Sequence, residues 1–549
     1  MSIKEIDNKE LNILKSAISD MSKGISDICD VLDKCCDKDA TLVNEYSNAQ
    51  IDKIEQASKI EQASKVEHTD KVTQIDNREK QMNCNTCNTT YITIPDDARQ
   101  IIDVLYEAGY EAFVVGGCVR DSLLGKEPKD WDITTSAAPE VVKSLFKKTI
   151  DTGIQHGTVT VRLNKESYEV TTYRVDGEYK DSRRPESVEF TSNLAEDLLR
   201  RDFTINAMAY NDRVGVVDKF NGIEDLNNHI IRCVGNPVER FSEDALRILR
   251  AIRFSAQLDF DIDSETKEAI KKLAPTLANI SAERIKTEFD KTLMSNHPEK
   301  IMDAYELGIT KVVLPEYDNL VGVKQETHHH MYDVDKHTIV ALKCMSQLNK
   351  YVTILDDKDK LMLMWTMLLH DIAKPMCKYY TEQNGEKIAH FKRHDIEGVE
   401  VARKICNRLK FDNYTSDKIR SLIKWHDYRF TNKERNMRRA MNKIGSELFD
   451  YLFFVKVADT LAQNMETVPA KLADLDRSYS IYRDIISKKQ CVSLKELALT
   501  GRDLIDIGIK PGRALGEYLN ALLEMVIEEP ELNTKDILLE KLQNELLDK

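Results

Sequence analysis

The chain has 549 residues, with 79 Lys and Arg against 93 Asp and Glu and a formal net charge of −14. At ~100–200 residues per domain this is roughly three or four units, and 42% hydrophobic with 31% charged residues fits a globular protein carrying some disordered sequence. The acidic balance argues against a generic nucleic-acid coat, which is basic throughout, and leaves room for a local basic groove.

The opening MSIKEIDNKE is too polar for a signal peptide. No run reaches ~18 apolar residues, so no transmembrane helix is expected. In residues 1–90, Leu11, Leu14, Ile18, Met21, Ile25, Ile28 and Leu32 recur at spacings of three and four. That is an a/d seam, read as a short coiled coil or amphipathic helix, with a marginally stable helix as the alternative. KIEQAS, KIEQAS and KVEHTD then repeat from Lys53 to Asp70; a period of six keeps no helical face, so this is a low-complexity linker. Cys84 and Cys87 form one CxxC among eleven cysteines that make no disulfide ladder. Free thiols in a reduced cytosol are expected, with zinc or redox chemistry at that pair as the alternative.

From Tyr91 the pattern is globular. Ala98–Ala108 reads as a helix and Ala112–Val115 as a strand, followed by Gly116-Gly117 and a helix through Leu124. Trp131–Thr135, Thr158–Leu163 and Tyr168–Tyr173 read as strands. Beyond Phe241 the pattern is helical to the end. The fold class is α+β: a small α/β head on a long helical body.

Within FVVGGCVRDSLLGKEPKDWDITT, strand alternation puts Asp130 and Asp132 on one face. Two carboxylates on a rigid strand suit divalent cations that activate a hydroxyl and steady a leaving pyrophosphate; a solvent-facing acidic turn is the bland alternative. Gly116 and Gly117 let the backbone approach phosphates, and Arg120 lies one helical turn on. This constellation resembles the signature of the DNA polymerase β nucleotidyltransferase superfamily. In detail it is similar to bacterial tRNA nucleotidyltransferases (CCA-adding enzymes) and the related bacterial poly(A) polymerases. The resemblance implies Asp130 and Asp132 as Mg²⁺ ligands and Gly116, Gly117 and Arg120 at the incoming nucleotide. It also implies a third carboxylate on a neighbouring strand, for which Glu169 is the candidate and a cross-strand ion pair the alternative.

Arg200–Ala209, RRDFTINAMA, is similar to the family's RRDFTxNA motif. Arg201 can neutralise triphosphate charge, and Asp202 and Asn206 can brace the site. VVDKFNGIEDL resembles the hinge between head and neck, with a plain turn at Asn221-Gly222 as the alternative. Asp151–Thr160 resembles the CCA-adding rather than the poly(A)-adding form, and Asp176–Phe190 matches the flexible loop that CC-adding relatives lack.

Ser242–Phe254, SEDALRILRAIRF, reads as one helix with Asp244 and Arg247 sharing a face at i, i+3. An ordinary surface salt bridge is one reading. The other is base selection: a carboxylate accepts from the exocyclic amino group of cytosine or adenine, and a guanidinium donates to the ring acceptor beside it. Guanine and uracil would meet the carboxylate acceptor to acceptor, at a cost of ~1–3 kcal/mol per good bidentate contact. The segment resembles the EDxxR protein template of CCA-adding enzymes. Arg250 and Arg253 are expected to join the nucleotide or primer contacts, or else to form a basic face for RNA phosphate.

Residues 328–459 hold eight of the twelve histidines, among them His328, His329 and His330. The order His337, His370-Asp371, Asp459 is similar to HD-superfamily phosphohydrolases and implies a second divalent metal, with His394 and His426 permitting a further ion. Imidazole and carboxylate donors favour Mn²⁺, Fe²⁺, Ni²⁺, Co²⁺ or Mg²⁺ over a thiolate-type zinc site. The tail from Thr500-Gly501-Arg502-Asp503-Leu504 resembles that of bacterial CCA-adding enzymes. The expected plan is an extension (1–90), head (91–232), neck (233–310), HD domain (311–465) and tRNA-binding tail (466–549). The expected partners are tRNA, CTP and ATP, with no membrane, in the cytoplasm.

Overall fold

The computed structural model describes residues 91–177, 187–326, 332–351, 355–383, 386–464 and 466–547. The expectations for residues 1–90, for Arg183 and Arg184 in the loop, and for His328–His330 lie outside them. The described residues fall into two compact units, one of 91–177 with 187–228, the other from His229 onward. The compact unit that holds the head runs to Asn228.

In the head, α1 (Asp96–Glu107) buries Ala98, Ile101, Ile102 and Leu105, the i, i+3, i+4, i+7 stripe of an amphipathic helix. Asp96 and Asp97 sit in its first turn, where the helix dipole favours negative charge. β1 (Ala112–Val115) is apolar and fully buried, as a strand flanked on both sides must be. It leads into α2 (Gly117–Leu123), β2 (Ile133–Thr135), α3 (Pro139–Leu145), β3 (Thr149–Gly153), β4 (Thr158–Leu163) and β5 (Glu166–Thr172). A small hairpin, β6 (Arg174–Asp176) with β7 (Val188–Phe190), is followed by α4 (Leu194–Leu199), β8 (Met208–Asn211), β9 (Gly215–Asp218) and α5 (Gly222–Asn227). The seven-stranded sheet has the order β3-β4-β5-β2-β1-β8-β9, and only β2 and β5 run parallel.

Two strands differ from expectation: the one expected over Tyr168–Tyr173 is β5, Glu166–Thr172, and β2 is shorter at its start. β2 begins at Ile133, so Asp130, Trp131 and Asp132 form its lead-in rather than its first residues. Regular pairing starts where β5 lies alongside, at Ile133 opposite Val170. Asp132 still joins the ladder through its carbonyl, which accepts from the Val115 amide at 2.9 Å.

The body opens with β10 (Ile230–Ile231), α6 (Pro237–Glu243), α7 (Leu246–Leu258), β11 (Asp261–Ile262), α8 (Ser264–Leu273) and α9 (Ala282–Leu293). The single helix expected over Ser242–Phe254 is two helices, broken at Asp244, whose backbone is extended (φ −135°, ψ 103°). Its carboxylate accepts from the Leu246 amide at 3.0 Å, the capping use of aspartate that competes with helix continuation. Four longer helices follow the neck: α10 (Val334–Tyr351), α11 (Asp357–Leu369), α12 (His394–Arg408) and α13 (Asn413–Trp425). The wholly helical reading gives way at a hairpin, β12 (Tyr379–Gln383) with β13 (Glu386–His390), whose Tyr-Tyr-Thr start favours extended backbone.

α14 (Glu434–Ile444), α15 (Phe449–Leu461) and α16 (Val468–Ser487) lead to the tail helices α17 (Gly501–Asp506) and α18 (Arg513–Glu528). Thr500 and Asp503 form a capping box at the start of α17, which accounts for the TGRDL signal by helix initiation. Buried Arg438 on α14 donates to the carbonyls of Ile527 (2.8 Å) and Glu528 (3.2 Å), capping α18. The boundary expected at residue 465 is therefore bridged by hydrogen bonds. No helix among the described residues is long and apolar enough to cross a membrane.

Candidate active site and metal centre

In the head, β1 delivers the chain to Gly116, whose φ of +83° suits glycine and whose amide donates to the Met208 carbonyl at 3.1 Å. A Cβ there would stand 3.0 Å from Arg201 Nη1. Arg120, one turn into α2, is largely buried. Its Nη1 donates to Asn206 Oδ1 at 2.6 Å and its Nε to Asp121 Oδ1 at 2.8 Å. Asn206 in turn donates to Asp202 Oδ1 at 3.3 Å, and that oxygen also accepts from the Phe203 amide at 2.9 Å. The α2 turn and the RRDFTIN segment are thereby locked into one unit.

Glu169 and Asp130 are the carboxylates that act on Asp132. Register places Asp132, one residue before Ile133, beside Glu169, one residue before Val170. Glu169 is exposed, on the opposite face of β5 from buried Tyr168 and Val170. The Asp132 carboxyl is held above the ordinary aspartate range. Lost solvation is the main cause, and nearby Glu169 and Asp130 add to it against Arg201. Asp132 nonetheless keeps solvent-accessible surface, so the group is crowded and reachable at once.

In the neck, Asp244 and Arg247 lie close in sequence but have different partners. Asp244 Oδ2 accepts from Arg284 Nη2 at 2.9 Å, across from α9. Arg247 Nη1 donates to Glu243 Oε2 at 2.5 Å and to the Arg240 carbonyl at 2.9 Å. Arg250 is half-buried, its guanidinium 5.3 Å from the Phe254 ring centre. Arg253 lies deeper than Arg247 and Arg250 on the same helix. It is 6% exposed, donates to Glu288 Oε1 at 3.0 Å and stacks on Phe254 at 4.2 Å. It faces the packed interior between α7 and α9, where it forms a buried ion pair with Glu288.

In the body, four imidazoles and two aspartates converge. His337 Nε2 is 3.4 Å from Asp371 Oδ2 and 3.0 Å from Asp459 Oδ1, and His370 Nε2 is 3.2 Å from Asp371 Oδ2. His394 and His426 approach the other oxygen, Oδ1, at 3.5 and 3.8 Å, with their Nε2 atoms 3.1 Å apart. Each ring places Nδ1 2.7–3.1 Å from a backbone carbonyl: Ala462, Met367, Phe391 and Ile423, respectively. Carbonyls only accept, so Nδ1 carries a proton and Nε2 is turned inward, the orienting pattern of metal-binding histidines. Burial opposes charge on His370, but Asp371 and Asp459 outweigh it and push its pKa up to about 10. His426 is pushed down to about 3 by burial and its neighbours His394 and His370. Lys374 Nζ sits 2.7 Å from Asp371 Oδ2 and is itself held by Gln325 Oε1 at 2.9 Å. The cluster lies at a cavity of about 850 Å³ whose walls include Lys392, Arg393, Trp425, Tyr428 and Lys443. Among the described residues, the groups of three ligating side chains within 4.8 Å of one another are His337–His370–Asp371 and Asp371–His394–His426; the head carboxylates are less tightly gathered.

Comparisons with known proteins carry this further. The chain matches the family models described as "Poly A polymerase head domain" over residues 112–232, "Probable RNA and SrmB- binding site of polymerase A" over 259–320 and "tRNA nucleotidyltransferase domain 2 putative" over 394–542. It is 36% identical over 459 residues to the CCA-adding enzyme of Pediococcus pentosaceus, covering 82% of this chain and 98% of that one. The CCA-adding enzyme of Lactobacillus helveticus is 37% identical over 439 residues, 80% and 94% of the two chains. The chain belongs to the CCA-adding enzyme family. Its fold also resembles the crystal structure of the Bacillus stearothermophilus CCA-adding enzyme in complex with CTP, with a TM-score of 0.60, 29% identity and coverage of 81% and 97%.

As a CCA-adding enzyme the chain is a nucleotidyltransferase, and this family uses divalent metal. The third family match, 394–542, crosses residue 465 just as the Arg438 bonds do. Sequence reasoning missed four residues that the geometry singles out. Asp197, Arg284 and Glu288 are the partners of Arg201, Asp244 and Arg253. The partners Arg284 and Glu288, 40 and 35 residues away, are not readable from spacing, whereas Asp197 stands at i−4 from Arg201. Lys374 was readable: it stands at i+3 from Asp371 in the run HDIAK.

Proposed function

We propose that this CCA-adding enzyme builds and repairs the 3′-terminal CCA of tRNA from CTP and ATP, releasing pyrophosphate. The observation that carries the reading is the crowding of Asp132 with Asp130 and Glu169 across from Arg201 and the Gly116–Gly117 turn. A carboxyl whose pKa is raised by lost solvation and, beyond that, by neighbouring anions is a fitting donor for a cation that relieves the repulsion. Asp130 and Asp132, with Glu169 beside them, would hold Mg²⁺. When bound, it activates the primer hydroxyl and screens charge on the leaving pyrophosphate. Arg201 neutralises the triphosphate, and Arg120 and Asn206 keep the α2 turn in register. Asp244, fixed by Arg284 and the Leu246 amide, offers its acceptor to the amino group of cytosine or adenine, with Arg247 as its partner in reading the base. The enzyme works where tRNA is matured, in the cytoplasm.

The test supplies tRNA transcripts ending before CCA, after C or after CC, with each labelled nucleotide in turn. Two C additions and one A are expected. An unbounded A tail would make the protein a poly(A) polymerase, and a halt at CC a CC-adding enzyme.

The histidine cluster supports a second activity, that of a metal-dependent phosphohydrolase. Its inward Nε2 atoms and the Asp371 and Asp459 carboxylates fit a divalent ion, which supplies an acidified water when bound. Lys392, Arg393 and Lys443 give the cavity the charge to take a phosphoester. Asp371→Asn is expected to lower bound metal, measured by elemental analysis, at least tenfold, the usual scale for a lost metal-site group being about 10–100-fold. It should abolish phosphate release while CCA addition continues. Unchanged metal content would remove this second reading and leave the first intact.

A further inference from the structure

Asp197 has no exposed surface at all, and its carboxylate does four things at once. Oδ1 accepts from Arg200 Nε at 2.9 Å and Nη2 at 2.7 Å. Oδ2 accepts from Thr134 Oγ1 at 3.0 Å and lies 3.6 Å from Arg201 Nη2. Thr134 is on β2, two residues past Asp132. One buried anion therefore ties the strand that follows the catalytic aspartates to both arginines of the RRD sequence. Adjacent guanidiniums repel each other, and a buried carboxylate without cations is costly, so neither keeps its place without the other.

The consequence falls on Arg201. Its Nη1 lies 3.0 Å from where a Cβ on Gly116 would stand, and its Nε is buried with no hydrogen-bond partner. Arg201 thus carries a donor without a protein partner next to a glycine turn of the kind that admits phosphate. Arg201 also faces Asp132, whose carboxyl it stabilises as the anion. Without a fixed counter-charge behind it, the flexible side chain would swing onto the nearest carboxylates and neutralise the group that must take the metal.

We propose that Asp197 is a positioning residue for nucleotide transfer: its carboxylate holds the Arg201 guanidinium behind the Gly116–Gly117 turn so that the unpaired Nε–H meets the triphosphate of the incoming nucleoside triphosphate. This rests on the reading of Arg201 as a triphosphate contact.

The test measures CTP and CMP affinity of the full chain in Mg²⁺, without tRNA, by calorimetry. Asp197→Asn keeps the shape and an acceptor for Thr134 but removes the charge. It is expected to weaken CTP binding about tenfold, the scale of one charge-assisted hydrogen bond, with CMP binding unchanged. Asp197→Glu, with the charge displaced by one methylene, should lower the CTP-to-CMP ratio several-fold, and covers the case in which the Asn variant does not fold. Thr134→Val should leave the ratio alone. Arg201→Lys should lower it, with no further loss on adding Asp197→Asn, because the two act as one unit. If the Asp197 variants lose only melting temperature and keep the ratio, the residue is merely structural and the inference fails. If Arg201→Lys also keeps the ratio, the reading of Arg201 fails first.

Discussion

Asp132→Asn should cut nucleotide addition by about 10²–10³-fold, the scale of losing one preorganised electrostatic group at a reacting centre. The substitution is nearly isosteric, and the residue's fold role is carried by its carbonyl, which stays bonded to Val115. Binding of tRNA and melting temperature should therefore hold, which separates lost chemistry from lost structure. The same carboxyl sets a pH dependence. Its pKa is raised, so protonation begins at a higher pH than for an ordinary aspartate. Metal binding needs the anion, so the Mg²⁺ concentration for half-maximal rate should climb as pH falls into that range. Glu169→Gln removes one of the anions that raise this pKa, and the climb should then begin at lower pH. If it begins at the same pH in both proteins, Glu169 is not electrically coupled to the site.

The chemistry of the head was legible because it is local in sequence. Strand, GG, arginine and DxD span only residues 112–135, and each residue type has a narrow set of uses there. In the body only the His370-Asp371 doublet is local; His337 and Asp459, which the fold brings beside it, lie far before and after it in the chain. What stayed hidden was which distant group each charge had to answer. Arg253 looks like one basic position in a row with Arg247 and Arg250. Its fate is decided by Glu288, 35 residues on, which meets it only once α7 and α9 have packed. Asp244 sits in a run with good helical periodicity. Its side chain bonds the Leu246 amide, a local alternative that hydrophobic spacing does not register. The hairpin β12–β13 was read as helix because it interrupts a long helical stretch, although the sequence carries Asn384-Gly385, a hairpin-turn signal, between its two strands.

Arg253→Met, which removes the cation and leaves Glu288 behind, should destabilise the body by about 3–5 kcal/mol. The cost arises less from the lost attraction than from a carboxylate 4% exposed with no counter-charge and little water. The Phe254 ring also loses the guanidinium stacked on it. Denaturant unfolding should show a lower midpoint with an unchanged slope, since the folded surface is the same. The partner test is Arg253→Met with Glu288→Gln. Replacing both charges by groups of similar volume should recover much of the loss, as it does for buried pairs generally. A residue that met RNA phosphate would behave otherwise. Its loss would spare the midpoint, weaken tRNA binding and flatten the salt dependence by about one unit of slope. That second pattern is expected for Arg250→Ala if its half-exposed guanidinium meets the primer backbone, so the two arginines, three residues apart on one helix, should separate cleanly into a stability defect and a binding defect.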